Sequence, residues 1–262
     1  MATGSAGAAP RTDQPSTDRA AVDFRGIVKL SNCSGSVFRF ADSADDAKAL
    51  VLTNGHCVDG MPEPGEVMTN EPSTRTFQLL NAAGDDTVGT LTADLLAYAT
   101  MTDTDAAVYR VEETYAELRS EYDTEALTLA ESHPTAGTDI KVVSGYWEEI
   151  YSCGIDGFVP QLKEDGYVAK DSIRYTPGCD TIGGTSGSPV IDAASNEIVG
   201  VNNTAYENTG ADCSLDNPCE VDEAGNVTVV PDARYGQQTY HLRDCLTPAG
   251  EARGRAACEL AA

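Results

Sequence analysis

Between Gly26 and Asn203 the chain repeatedly sets a short apolar run between two turn-rich stretches, and this rhythm limits the fold more than any other feature. GIVKL (26–30), SVFRF (36–40), KALVLTN (48–54), TRTFQLL (74–80), DTVGTLTADLLAY (86–98) and DAAVYRV (105–111) come first. IKVVSGYW (140–147), GYVAKDSIRY (166–175), SPVID (188–192) and EIVGVNN (197–203) follow. Runs of this length, rich in Val, Ile, Thr and Tyr and bounded by Gly, Asp, Asn and Ser, read as strands joined by turns. ADSADD (41–46) is one such turn or loop. Helix formers rarely come in runs. EETYAELRSEYDTEAL (112–127) reads as a short helix or an acidic surface loop, and the tail TPAGEARGRAACELAA (247–262) has room for a short helix. No repeat of solenoid period occurs. The expectation is an all-β chain, and 262 residues make one large or two modest domains.

The formal net charge is −25, from 42 acidic and 17 basic residues. Such a surface repels phosphate backbones and anionic bilayers, so neither a nucleic-acid nor a membrane partner is expected. No stretch is apolar for long enough to span a bilayer. Eight cysteines, Cys33, Cys57, Cys153, Cys179, Cys213, Cys219, Cys245 and Cys258, are scattered without a CxxC pair, and only three histidines accompany them. Zinc spacing is therefore absent, and disulfides formed in an oxidising compartment are the better reading. Counting alone leaves on the order of a hundred pairings. Proximity suggests Cys213–Cys219 as a clip within a long loop at 207–233 and Cys245–Cys258 as a tie on the tail, while Cys153 and Cys179 bracket the segment before residue 186, where a bridge would act as a brace. Residues 1–22 are small and polar and read as a disordered tail or propeptide remnant. They do not form a signal peptide as written, so the expectation is a secreted protein whose leader is not in this sequence.

Three histidines make the candidate bases nearly enumerable. His133 lies in the loop-like ESHPTAG and His241 in TYHLRDC near the C-terminus. His56 lies in ALVLTNGHCVDG, just past an apolar strand, on a glycine turn beside a cysteine. That setting holds an imidazole at the edge of a cleft. The candidate nucleophile is Ser186 in DTIGGTSGSPVID, with glycines on both sides. Gly183 and Gly184 permit left-handed backbone, which lets successive N–H groups point into one concavity, as an oxyanion hole requires. The lipase-type G-x-S-x-G pattern fails because its fifth position is Ser188.

Taken together, TNGHC (53–57), GTSGSPV (184–190) and CSGSV (33–37) resemble the histidine motif, the serine motif and the strand before the histidine of the chymotrypsin-like serine peptidases. The serine motif most resembles the bacterial glutamyl-endopeptidase branch, where GNSGSP is usual. The resemblance covers residues from about 26 to 205 and implies a chain order of His, Asp, Ser. DAAVYRV is similar to the family's strand opening on the carboxylate, which points to Asp105. Asp103 is the nearest rival; Asp85, Asp86 and Asp94 lack the context.

The resemblance further implies two six-stranded antiparallel Greek-key barrels with the site in the cleft between them. Residues 23–115 would carry His56 and Asp105, and residues 116–262 would carry Ser186. It implies a Cys33–Cys57 bridge and an oxyanion hole made by the N–H groups of Gly184 and Ser186. Backbone bonds from Asn203, Thr204 and Ala205 would hold an extended substrate. Thr181 belongs to the run before the serine, and Asn202 stands where the glutamyl branch carries a carboxylate-binding histidine. Asp180 lies at the offset where trypsin-like members place the acid at the pocket base, which invites a preference for basic residues. Thr185 replaces the aspartate that pairs with a new amino terminus in animal digestive members, so that activation route is not expected. The reading is a secreted, monomeric serine endopeptidase acting on peptides or proteins without metal or cofactor. A catalytically silent binding module and an esterase on the same scaffold are the alternatives.

Overall fold

In the computed structural model, which describes residues 21–253 and Cys258, every apolar run named above becomes a strand. The first half of the chain carries β1 (Ile27–Lys29), β2 (Ser34–Arg39), β3 (Lys48–Thr53), β4 (Val67–Pro72), β5 (Thr76–Leu80), β6 (Thr87–Thr100), β7 (Thr102–Asp103), β8 (Ala106–Thr114) and β9 (Leu127–Thr128). The second carries β10 (Asp139–Ser144), β11 (Glu149–Glu164), β12 (Tyr167–Tyr175), β13 (Pro189–Asp192), β14 (Ile198–Ala205), β15 (Cys219–Val221), β16 (Val227–Thr228) and β17 (Arg234–Gln238).

Strands β1, β5, β6, β8, β3 and β2 pair in that order, all antiparallel, and β2 returns to β1 with Ser36 opposite Ile27. That return closes a six-stranded barrel. Strands β10, β13, β14, β17, β12 and β11 form a second antiparallel ring, closed by β11 against β10. Closure removes the open edges that a sheet of this size would otherwise expose. Two short strands cross over: β7 pairs parallel with β12, and β9 pairs parallel with β2.

Strand periodicity explains why the runs read as continuously apolar. In β3, Ala49 and Val51 face the first barrel's interior with Val37, Phe77, Leu79 and Leu91, while Leu50 and Leu52 face the opposite way. Those outward residues join Phe38, Val108, Ile198, Val201 and Leu242 in a separate apolar layer. Successive side chains point to opposite faces, so a strand buried on both faces loses the polar alternation of a solvated one. The second barrel fills its own interior with Ile140, Val142, Ile155, Ile173 and Val190.

The acidic segment after β8 resolves into a helix, α1 (Tyr115–Tyr122). Thr114 accepts from the Glu117 N–H, and the Glu117 carboxylate accepts from the Thr114 N–H, a reciprocal cap that satisfies two orphan donors. Asp123, at φ 49°, ends it in the left-handed conformation. The short C-terminal helix lies upstream of the tail expected to hold it: α2 spans Leu242–Cys245, and the described residues after it carry a bridge between Leu246 and Ala252. Residues 1–20, 254–257 and 259–262 of the two tails lie outside the described residues. Segment 207–233 is less of a loop than expected, because β15 and β16 extend the sheet from β11.

Candidate active site

Strand β3 delivers Asn54 and a single 3₁₀ turn, Gly55–Cys57, which carries His56. The Cys33–Cys57 bridge ties that turn to the foot of β2. Asp105 opens β8 and is almost fully buried. Its Oδ2 lies 2.6 Å from His56 Nδ1, its Oδ1 accepts from the His56 N–H at 3.1 Å, and its backbone oxygen accepts from Asn54 Nδ2 at 2.7 Å. In the tautomer that donates Nδ1–H to Asp105, Nε2 is left unprotonated and able to accept a proton. Asp103 turns elsewhere and pairs with Lys170 at 2.8 Å. His133 packs against Phe158 and pairs with Asp171, and His241 stacks on Tyr240; neither lines the cleft.

The loop that carries Ser186 docks on the first barrel. Ser34 N–H donates to the Ser186 carbonyl at 2.8 Å, and Thr53 Oγ1 donates to the Ser34 carbonyl at 2.8 Å. Gly187 makes that docking possible. It sits at φ 81°, and a Cβ there would lie 2.2 Å from the Ser34 oxygen and 2.3 Å from Thr53 Oγ1. Ser186 thereby shares one cleft of about 520 Å³ with His56 and Asp105. Its hydroxyl donates to the Asn203 carbonyl at 3.2 Å. Among the described residues, the N–H groups of Gly184 and Ser186 donate to no protein acceptor.

The other expected residues divide. Thr181 and Asn202–Ala205 line the cleft, and β14 pairs with β13 only as far as Val201. The edge at Asn203–Ala205 is thus open on that side. Asn202 is buried, and its amide Nδ2 donates to the Thr185 carbonyl at 3.2 Å and to Thr185 Oγ1 at 3.0 Å. Asp180 is not brought in. It is exposed between the buried Cys179 and Thr181 and lies outside the cleft lining. The eight cysteines form Cys33–Cys57, Cys153–Cys179, Cys213–Cys219 and Cys245–Cys258, the pairs that resemblance and proximity suggest. Cys33, His56 and Cys57 come within 4.8 Å of one another, but both sulfurs are held in the bridge, which leaves the imidazole as the single metal-type ligand there.

Four residues near the cleft carry no sequence signal. Glu164 and Asp216 stand on one wall, from the end of β11 and from the loop before β15. Glu164 Oε1 accepts from Thr204 Oγ1 at 3.0 Å and from the Asp216 N–H at 2.7 Å. Burial pushes its carboxyl up to about 7, against those two hydrogen bonds. Burial alone would lower the His56 pKa, but the Asp105 carboxylate, by charge and by hydrogen bond, with Glu164 and Asp216 adding, holds it above its ordinary 6.5. Arg234 braces the wall, its Nε donating to the Thr181 carbonyl at 2.9 Å. Trp147 reaches across from the β10–β11 turn, and its indole Nε1 donates to the Gly183 carbonyl at 2.8 Å.

The model of one family, described as a trypsin-like peptidase domain, matches residues 33–201. No curated protein matches the chain. Among solved structures it is similar to the MamO protease domain from Magnetospirillum magneticum, with TM-score 0.53 and 11% identity over 86% of this chain and 97% of that one. It is also similar to the active form of the Rv3671c protease from M. tuberculosis, with TM-score 0.49 and 17% identity over 89% and 90% of the two chains. A third similar structure is a Cellulomonas bogoriensis chymotrypsin, with TM-score 0.45 and 15% identity over 83% and 91%.

Proposed function

Because the chain belongs to the trypsin-like peptidase family, we propose that it is a secreted serine endopeptidase with Ser186 as nucleophile, His56 as general base and Asp105 as the group that orients the base. The observation that carries this reading is the Asp105 carboxylate bridging both the Nδ1 and the backbone N–H of His56, in the cleft that also holds Ser186. A serine hydroxyl is a weak nucleophile until a neighbouring base takes its proton.

The Ser186 hydroxyl rotates from Asn203 towards His56 Nε2 and attacks the scissile carbonyl as the imidazole takes its proton. Asp105 stabilises the imidazolium so formed. The unpaired N–H groups of Gly184 and Ser186 receive the oxyanion. His56 returns the proton to the leaving amine, and water then releases the acyl group from Ser186 by the same route. The open edge at Asn203–Ala205 adds the substrate as an extra strand. The four bridges suit an extracellular setting. With its amide engaged by Thr185, Asn202 offers no cation to a substrate carboxylate, so the proposal carries no glutamate preference.

The test is covalent labelling by a fluorophosphonate combined with peptide turnover. The wild type should label at Ser186 and cut peptides, and Ser186→Ala should do neither while keeping its fold. A fully active Ser186→Ala protein would overturn the assignment. Labelling without peptide turnover would favour the esterase, and no labelling at all the silent binding module.

A further inference from the structure

A trans peptide holds its C=O and its N–H on opposite sides of one plane. A donor that grips the carbonyl therefore also aims the N–H of the next residue. Both candidate oxyanion donors of this chain are aimed in that way, by side chains that touch neither the base nor the nucleophilic oxygen. Trp147 Nε1 donates to the Gly183 carbonyl at 2.8 Å, so the Gly184 N–H of the same peptide points away from the indole. Asn202 Nδ2 donates to the Thr185 carbonyl at 3.2 Å, alongside the Ser188 N–H at 3.1 Å, so the Ser186 N–H of that peptide points away from both donors. No peptide bond among the described residues is cis.

The first of these peptides needs such a hold. It joins two glycines, and Gly184 sits at φ 92°, a region that glycine enters and leaves at little cost. A half-turn of that peptide would put the Gly183 carbonyl where the Gly184 N–H stands, and an acceptor there would repel an oxyanion. Ser34 Oγ also donates to the Gly184 carbonyl at 3.3 Å, which fixes the far side of Gly184 but leaves the 183–184 peptide to the indole. Trp147 is 48% exposed, unusual for so large an aromatic, and packs edge-on against Tyr146 at 5.1 Å. Its placement puts an N–H at Gly183 and leaves much of the ring in solvent.

We propose that Trp147 and Asn202 are positioning residues that hold the two oxyanion donors, Gly184 N–H and Ser186 N–H, in their productive orientation. The proposal rests on the serine peptidase reading, and its test separates the two. Wild-type turnover and fluorophosphonate labelling establish the parent reading first; their absence sinks that reading and not the geometry argued here.

Given an active wild type, Trp147→Phe keeps the aromatic contact and removes the donor. Removing an oxyanion donor outright lowers kcat on the order of a hundred- to a thousandfold, so an unheld but intact donor should lower it about tenfold or more, with KM within about twofold. Affinity for a peptide aldehyde, whose adduct places an oxygen in the hole, should fall by the same factor, while affinity for a cleaved product peptide stays level. Trp147→His, which keeps a ring N–H, should recover part of the loss. Asn202→Leu should show the same split with a smaller loss, because the Ser188 N–H still holds the Thr185 carbonyl. It changes a buried residue, so Trp147→Phe carries the test if that variant does not fold. Unchanged kcat and aldehyde affinity in Trp147→Phe would overturn the proposal. An equal loss of aldehyde and product affinity would also overturn it, because it would make the indole a substrate contact.

Discussion

Replacing Glu164 with glutamine should make the protein more stable at high pH and leave it unchanged at low pH. Glu164 accepts both of its hydrogen bonds on Oε1, from Thr204 Oγ1 and the Asp216 N–H. The amide oxygen of glutamine can accept both, so the substitution isolates the charge. Burial, with the Asp216 charge adding to it, carries the Glu164 carboxyl from an ordinary 4.5 to about 7. Between those values the folded protein keeps a proton that the unfolded chain has released. Stability then falls as pH rises through the window, and is flat on either side. The full fall is about 3 kcal/mol, at roughly 1.4 kcal/mol for each tenfold change in proton affinity. The assay is urea unfolding at pH 4 and pH 9, with both chains also carrying Ser186→Ala to prevent self-digestion. Glu164→Gln should match its parent at pH 4 and exceed it by about 2–3 kcal/mol at pH 9. Equal differences at the two pH values would refute the reasoning. The same charge helps to hold the His56 pKa above 6.5. In the active protein, Glu164→Gln should therefore move the acidic limb of kcat/KM to lower pH, and a move to higher pH would count equally against it.

Two further substitutions probe the site. Asp105→Asn keeps the shape but cannot accept the Nδ1 proton in the same tautomer, so kcat should fall on the order of ten-thousandfold; Asp103→Asn breaks only a pair with a mostly exposed Lys170 and should change kcat less than about threefold. The reverse ranking in steady-state kinetics would exchange the two carboxylates. Gly187→Ala places a methyl against the Ser34 oxygen at a positive φ. It should lower the urea unfolding free energy by more than about 2 kcal/mol and remove most activity, and a stable, active variant would show that the loop does not need this docking.

The fold was legible where strands bury both faces. Runs such as KALVLTN and DAAVYRV carry apolar residues at successive positions because alternate residues enter two different cores. It was illegible where composition masks strand character. Strand β11 is the longest of the described strands, yet Gly154, Gly157, Pro160 and a mixture of charges break its pattern. Its register slips between Ile155 and Gly157, and much of it is only half-buried, so no periodicity marks it. Strand β4 is mainly exposed and ends on Pro72, and β17 is spelled RYGQQ. The site divides in the same way. His56 and Ser186 stand in local motifs whose neighbours do the positioning. Asp180 stands at the offset of a pocket-base acid in the sequence, yet it is exposed between two buried neighbours. Glu164 and Asp216 line the cleft, and Trp147 and Arg234 hold carbonyls of its wall, from segments far apart in sequence that the closed second barrel with its extension brings together.

The same two-faced burial explains why the site lies where it does. His56 and Asp105 come from β3 and β8 of the first barrel, whereas Ser186 and Asn203 come from the loop before β13 and from β14 of the second. Neither barrel holds the proposed base, its orienting carboxylate and the proposed nucleophile by itself. What joins them is the layer shared by Phe38, Leu50, Leu52 and Val108 on one side and Ile198, Val201 and Leu242 on the other. The crossed strands β7 and β9 and the Ser34–Ser186 hydrogen bond supplement it. Apolar burial of this kind has no direction of its own and sets only how closely the barrels approach. Register across the cleft falls to the directional contacts, namely the hydrogen bonds at Ser34 and the close fit of Gly187 against Thr53. Substitutions in the shared layer should therefore act on stability first, and substitutions at Ser34 or Gly187 on the alignment of Ser186 with His56.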